Sequence, residues 1–95
     1  MSLDDEGRVH LRGDLLVSDV NEYLQLELPD TADTLSGLVI SELGRAPSVG
    51  DEINIGETVI RVESMADLGV SEVSMQTTAV DFSHLAGEWS LGSDE

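Results

Sequence analysis

The chain has 95 residues and a formal net charge of −16, and it contains no cysteine. A chain of this length forms one small domain, and without cysteine it has neither disulfides nor thiolate chemistry. Its fixed positive charges are four arginines without a cluster, so we expect no nucleic-acid partner and no attraction to an anionic membrane. Because no apolar run approaches the length of about 20 residues that spans a bilayer, we expect no membrane insertion by this segment.

The acidic side chains are spread along the whole chain, from Asp4 to Glu95. Such a spread is typical of a solvated, self-repelling surface, of which adaptation to high salt is one version. The alternative is a site for a divalent cation, with Asp51 and Glu52 as candidate ligands. Neighbouring acids supply charge, but they do not give the ligand spacing of a calcium-binding loop.

The first part of the chain predicts a short lead, a strand and a helix. Residues 1–7 are expected to be a flexible acidic lead. Val9–Arg12 alternates apolar and polar residues, which predicts a strand whose apolar side chains face inward. Gly13 then marks a turn, and Ser18 is the expected N-cap of a short helix that runs to about Gln25.

A second helix is predicted by its start signal, apolar stripe and stop signal. Asp33 or Thr34 supplies the N-cap, and Gly44 with Pro47 beyond it marks the end. The stripe has helical spacing and consists of Leu35, Leu38, Val39 and Leu43. Gly37 inside the helix costs about 1 kcal/mol relative to alanine, so we expect another backbone to approach closely there.

The second half of the chain predicts three antiparallel strands. A turn at Val49–Asp51 leads into a strand containing Ile53 and Ile55, and Gly56-Glu57 fits a tight hairpin loop. Thr58 to Glu63 is the predicted return strand, Met65 to Gly69 a second loop, and alternation through Thr77 a third strand. One strand, two short helices and a three-stranded meander indicate an α+β fold.

Residues 78–95 are predicted to be an extension to this domain. Phe82, Leu85 and Trp89 have the spacing of a short docking helix, although they lie among glycines, serines and acids. The aromatic side chains of Phe82 and Trp89 are expected to cover the domain's own core or that of a partner, and the residues after the helix are expected to be disordered.

No arrangement of residues predicts catalysis. Neither His10 nor His84 has a second histidine three or four residues away on a predicted helix, so a histidine metal site is weakly supported, and there is no nucleophile elbow or phosphate-binding loop. Arg45 follows the end of the second helix, where a cation suits the helix dipole. The alternative for Arg45 is recognition of an acidic group on a partner or ligand.

Several segments together resemble the transporter-associated domain of the CorC/HlyC type over residues 8–77. The most specific are Thr34-Leu-Ser-Gly-Leu-Val39 and Leu43-Gly-Arg-Ala-Pro-Ser-Val-Gly-Asp51. The segments Gly13 to Leu24, Leu28-Pro29 and Val59 to Ser64 also fit. The loop from Met65 to Gly69 departs from the short Asp-Gly turn expected of the family, and the extension lies beyond its motifs.

The resemblance implies a cytoplasmic accessory domain of a membrane protein that also carries transmembrane and CBS domains. Such proteins are associated with magnesium and cobalt transport and are often labelled hemolysins. The fold is related to part of some FAD-binding domains, so binding of flavin or an adenine nucleotide is an alternative function, and cation sensing is another. Because sheet edges are open, we expect a homodimer. The motif positions are expected to be structural: Gly13, Thr34, Leu35, Gly37, Gly44, Arg45, Pro47, Gly50 and Asp51.

Overall fold

A computed structural model of the chain describes residues 2–67 and 69–78. In this part of the chain, strands and helices follow in the order β1 (Ser2–Leu3), β2 (Val9–Arg12), α1 (Val17–Leu24), α2 (Leu35–Leu43), β3 (Glu52–Ile55), β4 (Thr58–Ala66) and β5 (Gly69–Thr77). The α+β prediction is confirmed. The docking helix predicted within 78–95 lies outside the described residues, apart from Thr78.

All strand pairs in the sheet are antiparallel, and the strand order is β1-β2-β5-β4-β3. The predicted meander is therefore confirmed as β3-β4-β5. The strand predicted before the helices lies beside β5, where Val9 pairs with Met75 and Leu11 with Val73. This pairing brings residues more than 60 positions apart in sequence onto one surface.

The expected flexible lead over residues 1–7 is wrong for residues 2–7. Ser2 and Leu3 pair with His10 and Val9, which adds an edge strand. The turn back to β2 is closed by Asp4, whose backbone N–H donates to the Arg8 carbonyl at 2.9 Å and whose carboxylate accepts from the Arg8 N–H at 2.9 Å. Composition alone suggested a solvated tail, but these local hydrogen bonds close a hairpin.

The apolar core lies between one face of the sheet and the two helices. It contains apolar residues from every element except β1: Val9, Leu11, Val17, Val20, Leu24, Leu26, Leu28, Leu35, Leu38, Val39, Ile53, Ile60, Val62, Val70, Val73 and Met75. Because side chains alternate along a strand, polar residues occupy the opposite face. We call this the outer face; it includes Arg8, His10, Arg12, Arg61, Glu63, Glu72, Ser74 and Gln76.

The two helices begin in different ways. Thr34 caps α2 as predicted, since its side-chain oxygen accepts from the Gly37 N–H at 3.1 Å, and Gly44 ends α2 in the left-handed conformation. The predicted N-cap Ser18 is wrong. Leu16 occupies the N-cap of α1 without a side-chain hydrogen bond, and the Val17 N–H donates to the Asp33 carbonyl at 2.8 Å. A tertiary contact therefore replaces the local cap.

The hairpin between β4 and β5 is longer than predicted. β4 continues past Glu63 to Ala66, and Ala66 pairs with Gly69, so the expected loop from Met65 to Gly69 is largely strand. The register shifts around Ser64. A bulge of this kind absorbs one extra residue and lets the ladder resume, which the simple alternation of the sequence does not show.

Candidate functional site

The motif glycine Gly13 lies where three parts of the backbone meet. Its N–H donates to the Ser71 carbonyl at 2.9 Å, and its own carbonyl accepts from the Ser36 N–H at 2.8 Å. A Cβ at this position would overlap the Val70 carbonyl oxygen and lie 2.9 Å from the carbonyl carbon. The close backbone approach that was predicted for Gly37 occurs at Gly13 instead.

Gly37 meets side chains rather than another backbone. A Cβ there would lie 3.1 Å from the Ala32 Cβ and 3.5 Å from the Thr34 Oγ1. The glycine thus leaves room for the loop that precedes α2. Its motif neighbour Leu35 is fully buried in the core.

An open cleft of about 430 Å³ lies beside the first turn of α2 and is lined by residues that include Arg12, Ser36 and Ser71. A helix N-terminus can hold a phosphate when its first N–H groups are free. Here Leu35 N–H donates to the Leu15 carbonyl at 3.0 Å, and the next two N–H groups donate to Gly13 and Thr34. The donors that a nucleotide phosphate would use are therefore already occupied.

The second half of the motif folds around an ion pair between Arg45 and Asp51. Arg45 Nη1 and Nη2 donate to Asp51 Oδ2 and Oδ1 at 3.0 and 3.1 Å, a bidentate geometry. The Ser48 N–H also donates to Asp51 Oδ2, at 2.8 Å. The hydrogen bonds from Arg45 and Ser48 hold the pKa of Asp51 below its ordinary value. Arg45 thus pairs with an acid six residues away, and its Nη1 also donates to the Ala46 carbonyl at 3.0 Å.

The same turn is joined to the sheet by its backbone. Gly50 has a φ of 94°, and its N–H donates to the Val62 carbonyl at 2.9 Å, while the Val62 N–H donates to the Asp51 carbonyl at 2.8 Å. Pro47 is half-buried just before this turn. The motif residues from Gly44 to Asp51 thus fix the path from α2 into β3.

Asp51 and Glu52 were the candidate metal ligands, and the structure places them in different surroundings. The Asp51 carboxylate is engaged by Arg45 and Ser48, whereas Glu52 is exposed on β3 beside Arg61. Among residues 2–67 and 69–78, no group of three or more acidic or histidine side chains is arranged to hold a metal ion.

On the outer face, the half-buried His10 lies between two carboxylates that sequence reasoning did not connect with it. Its Nε2 is 2.8 Å from Asp4 Oδ2, and its Nδ1 is 2.9 Å from Glu72 Oε2. Partial burial opposes the charged form, but the hydrogen bonds to these two acids outweigh it and raise the pKa of His10. Through these two contacts, His10 joins the β1–β2 turn to β5. His84 lies outside the described residues.

A second polar network on the outer face starts at Arg8, which is buried although it is charged. Arg8 Nε donates to Ser74 Oγ at 3.0 Å, and the Ser74 hydroxyl donates to Glu63. Arg61 Nε donates to the same Glu63 oxygen at 2.8 Å. The Ser74 hydroxyl lowers the pKa of Glu63, and Arg61 adds to this against the effect of partial burial. No sequence motif signals this network, because it depends on the pairing of β2 with β5.

The fold and the motif residues described above are those of a transporter-associated domain. The profile of the CorC_HlyC family, described as transporter associated domain, matches residues 3–79. The chain belongs to this family, as the resemblance predicted. A search of curated proteins finds no match.

Solved structures of several bacterial domains are similar to this chain. The transporter associated domain from a CBS domain protein of Porphyromonas gingivalis is 29% identical, with a TM-score of 0.72, over 80% of this chain and 94% of that one. A region from Neisseria meningitidis, described as associated with a Mg²⁺ and Co²⁺ transporter (CorC), is 26% identical, with a TM-score of 0.67, over 75% and 89%. The domain from a Xylella fastidiosa hemolysin, solved with Mg²⁺ and Mn²⁺, is 25% identical, with a TM-score of 0.71, over 81% and 95%.

Among the described residues, no helix is long and apolar enough to span a bilayer. α1 has 8 residues and α2 has 9.

Proposed function

We propose that this chain is a non-enzymatic accessory domain of a membrane ion transporter and acts through contacts with other domains of that transporter. The observation that carries the proposal is the family match over residues 3–79. Relatives from a CBS domain protein and from a Mg²⁺ and Co²⁺ transporter region support a CBS pair and a transmembrane part as partners. On this proposal the domain lies in the cytoplasm and magnesium or cobalt is transported.

The described site supports a contact role rather than a chemical one. The family-motif residues serve the fold: Gly13 joins three backbone segments, and Arg45 and Asp51 close a turn. When polar groups satisfy one another inside a domain, they hold its surface in one shape for a partner. Such a domain modulates transport by favouring one arrangement of the transporter over another.

The test is to measure Mg²⁺ and Co²⁺ flux in proteoliposomes that contain the full-length transporter, with and without residues 3–79. Removing the domain should shift the ion concentration of half-maximal flux, while transport itself persists. Deleting only residues 80–95, which lie outside the family match, is the control for shortening the chain and should shift that concentration less. Unchanged flux after removal of residues 3–79, with protein levels intact, would contradict the proposal.

Direct sensing of a divalent cation is a second candidate, because the Xylella fastidiosa relative was solved with Mg²⁺ and Mn²⁺. A cation that binds the native domain must raise its melting temperature. We would compare melting temperatures with Mg²⁺ and with Na⁺ at equal ionic strength, using Asp51→Asn as the test variant. A rise specific to Mg²⁺ supports this function, and equal curves contradict it. Flavin or nucleotide binding stays a prediction, and calorimetric titration with FAD and ATP tests it.

A homodimer also stays a prediction. The sheet has β1 and β3 at its edges, and an edge strand offers unpaired backbone groups to a second copy. Light scattering coupled to size-exclusion chromatography would measure the mass in solution. A mass of 10.2 kDa indicates a monomer, and twice that mass indicates the homodimer.

A further inference from the structure

On the outer face, His10 presents one ring nitrogen to each of two carboxylates, and these two acids are held differently. Asp4 Oδ2 lies 2.8 Å from His10 Nε2. The other oxygen of Asp4 accepts from the backbone N–H groups of Glu6 and Arg8, both at 2.9 Å. Glu72 Oε2 lies 2.9 Å from His10 Nδ1, and the Glu72 side chain is 44% exposed. Asp4 is therefore a fixed partner of the ring, whereas Glu72 can turn.

An open cleft of about 310 Å³ borders this group, and its lining includes His10, Ser64, Ser71 and Glu72. The Oγ atoms of the two serines are 2.7 Å apart. Ser64 pairs with Glu72 across β4 and β5, at the shift in register. A ring nitrogen, a carboxylate and two hydroxyl-bearing residues thus border the same open space.

The contact between Asp4 and His10 is the one that orients a metal-binding histidine in proteins. A ligating imidazole donates its second N–H to a carboxylate, which fixes the ring and makes the ligating nitrogen more basic. Asp4 accepts at Nε2 and leaves Nδ1 as the nitrogen that faces Glu72. Imidazole nitrogen suits divalent transition-metal ions, whereas Mg²⁺ prefers oxygen ligands.

The distance between the two candidate ligand atoms fits a single ion. Two atoms that each lie about 2.1 Å from a metal, at a right angle, are about 3.0 Å apart. His10 Nδ1 and Glu72 Oε2 are already 2.9 Å apart, so the exposed Glu72 side chain has to turn around the ion but not to move away. Because only two strong protein ligands meet here among the described residues, water and the serine hydroxyls complete the shell.

We propose that His10 Nδ1 and the Glu72 carboxylate bind a divalent transition-metal ion such as Ni²⁺ on the outer face, and that Asp4 positions the ring. Binding exchanges one ion for one proton: the proton on Nδ1 leaves to water as the metal–nitrogen bond forms. This site does not rest on the proposed transport function. It differs in place and in ligand chemistry from Mg²⁺ sensing at Asp51.

The charges around His10 make this exchange depend on pH. They come from the elements packed against the ring: Asp4 in the β1–β2 turn, Arg8 and Arg12 in β2, Glu63 in β4 and Glu72 in β5. The charges of Arg12 and Glu63 are matched by Asp14 and Arg61. Asp4 and Glu72 favour the imidazolium, so the proton competes with the metal. The affinity should therefore fall about tenfold for each pH unit below the folded pKa of His10.

Calorimetric titration of the full, untagged chain with Ni²⁺, in a buffer that contains Mg²⁺, tests the site. The chain has two histidines, so His84→Gln is the background in which His10 is the only one. Above the folded pKa of His10 we expect a single Ni²⁺ per chain. Below it, the comparison of buffers with different ionisation enthalpies should show the release of one proton on binding.

Two acidic positions separate a defined site from a diffuse acidic surface. Glu72→Gln should weaken Ni²⁺ binding about tenfold or more, and His10→Gln should abolish it. Glu52→Gln removes the same charge from an exposed acid on β3 and should leave binding unchanged. If His10→Gln does not fold, the comparison of Glu72→Gln with Glu52→Gln still decides. Ni²⁺ binding weaker than about 1 mM above the folded pKa, binding that survives His10→Gln, or equal weakening by the two glutamate variants would overturn the proposal.

Discussion

Replacing Gly13 by alanine should destabilise the domain strongly, although alanine is small. A methyl group at Gly13 would overlap the Val70 carbonyl oxygen and lie 2.9 Å from its carbon, where carbon atoms normally stay about 3.5–4.0 Å apart. The obstacle is backbone in a paired strand, so it cannot turn aside as a flexible side chain could. Either β5 or the turn after β2 must move by about 1 Å or more.

The cost follows from the hydrogen bonds that such a movement would strain. Three bonds meet at this point: Gly13 N–H to Ser71, Ser36 N–H to Gly13, and Val70 N–H to the Ser36 hydroxyl. At about 1 kcal/mol each, their loss would reduce the free energy of unfolding by about 3 kcal/mol. Residual overpacking would add about 1–3 kcal/mol. For a domain of this size, a loss of about 3 kcal/mol lowers the melting temperature by roughly 12–24 °C.

Thermal and urea unfolding followed by circular dichroism would measure this loss. Gly7→Ala is the matched control, because Gly7 has a φ of 79° but no atom within 4 Å of an added Cβ. It should cost only the strain of the left-handed conformation, about 1–2 kcal/mol. If Gly13→Ala is no more destabilising than Gly7→Ala, the reasoning from close backbone approach is wrong.

Three further predictions concern the helix cap, the motif ion pair and the outer face. Thr34→Ala should cost about 1 kcal/mol in chemical denaturation, whereas Thr34→Ser, which keeps the hydroxyl, should cost much less. The pKa of Asp51 is lowered in the fold, so its contribution to stability is present above its unfolded pKa and is lost as the pH falls through the folded value. Asp51→Asn should therefore flatten the acid limb of the stability curve, and an unchanged limb would refute the pairing. The pKa of His10 is raised, so its contribution is full below about pH 6.5 and is lost as the pH rises through the folded pKa. His10→Gln should remove this decline in denaturation titrations, and a decline that persists in the variant would show that another group causes it.

The sequence predicted the elements whose signals are local. The cap at Thr34, the helix end at Gly44 and the tight hairpin at Gly56 each depend on a few adjacent residues, and all three are present. The family resemblance rested on the same short-range signals. Composition and periodicity were sufficient here because each of these signals depends on residues that are close together in sequence.

The prediction failed where a distant partner decides the local structure. Ser18 is not the N-cap of α1, because the backbone carbonyl of Asp33 accepts from the first N–H of the helix, that of Val17. Gly13 is a turn signal in sequence, but its close contact with Val70 requires β5 to lie beside the turn after β2. Arg45 and Asp51 could have been paired from sequence, since a proline and a glycine between them indicate a reversal of the chain.

The N-terminal strand shows why the outer face was beyond the reach of sequence reasoning. A neutral imidazole has one N–H donor, yet both ring nitrogens of His10 face carboxylate oxygens, of Asp4 and Glu72, so both hydrogen bonds require the imidazolium. Glu72 reaches His10 only because β5 pairs with β2. The acids that suggested a solvated lead therefore include one that holds the lead in place. In a chain of net charge −16, the positions of the few cationic side chains determine which acids form ion pairs that stabilise the fold.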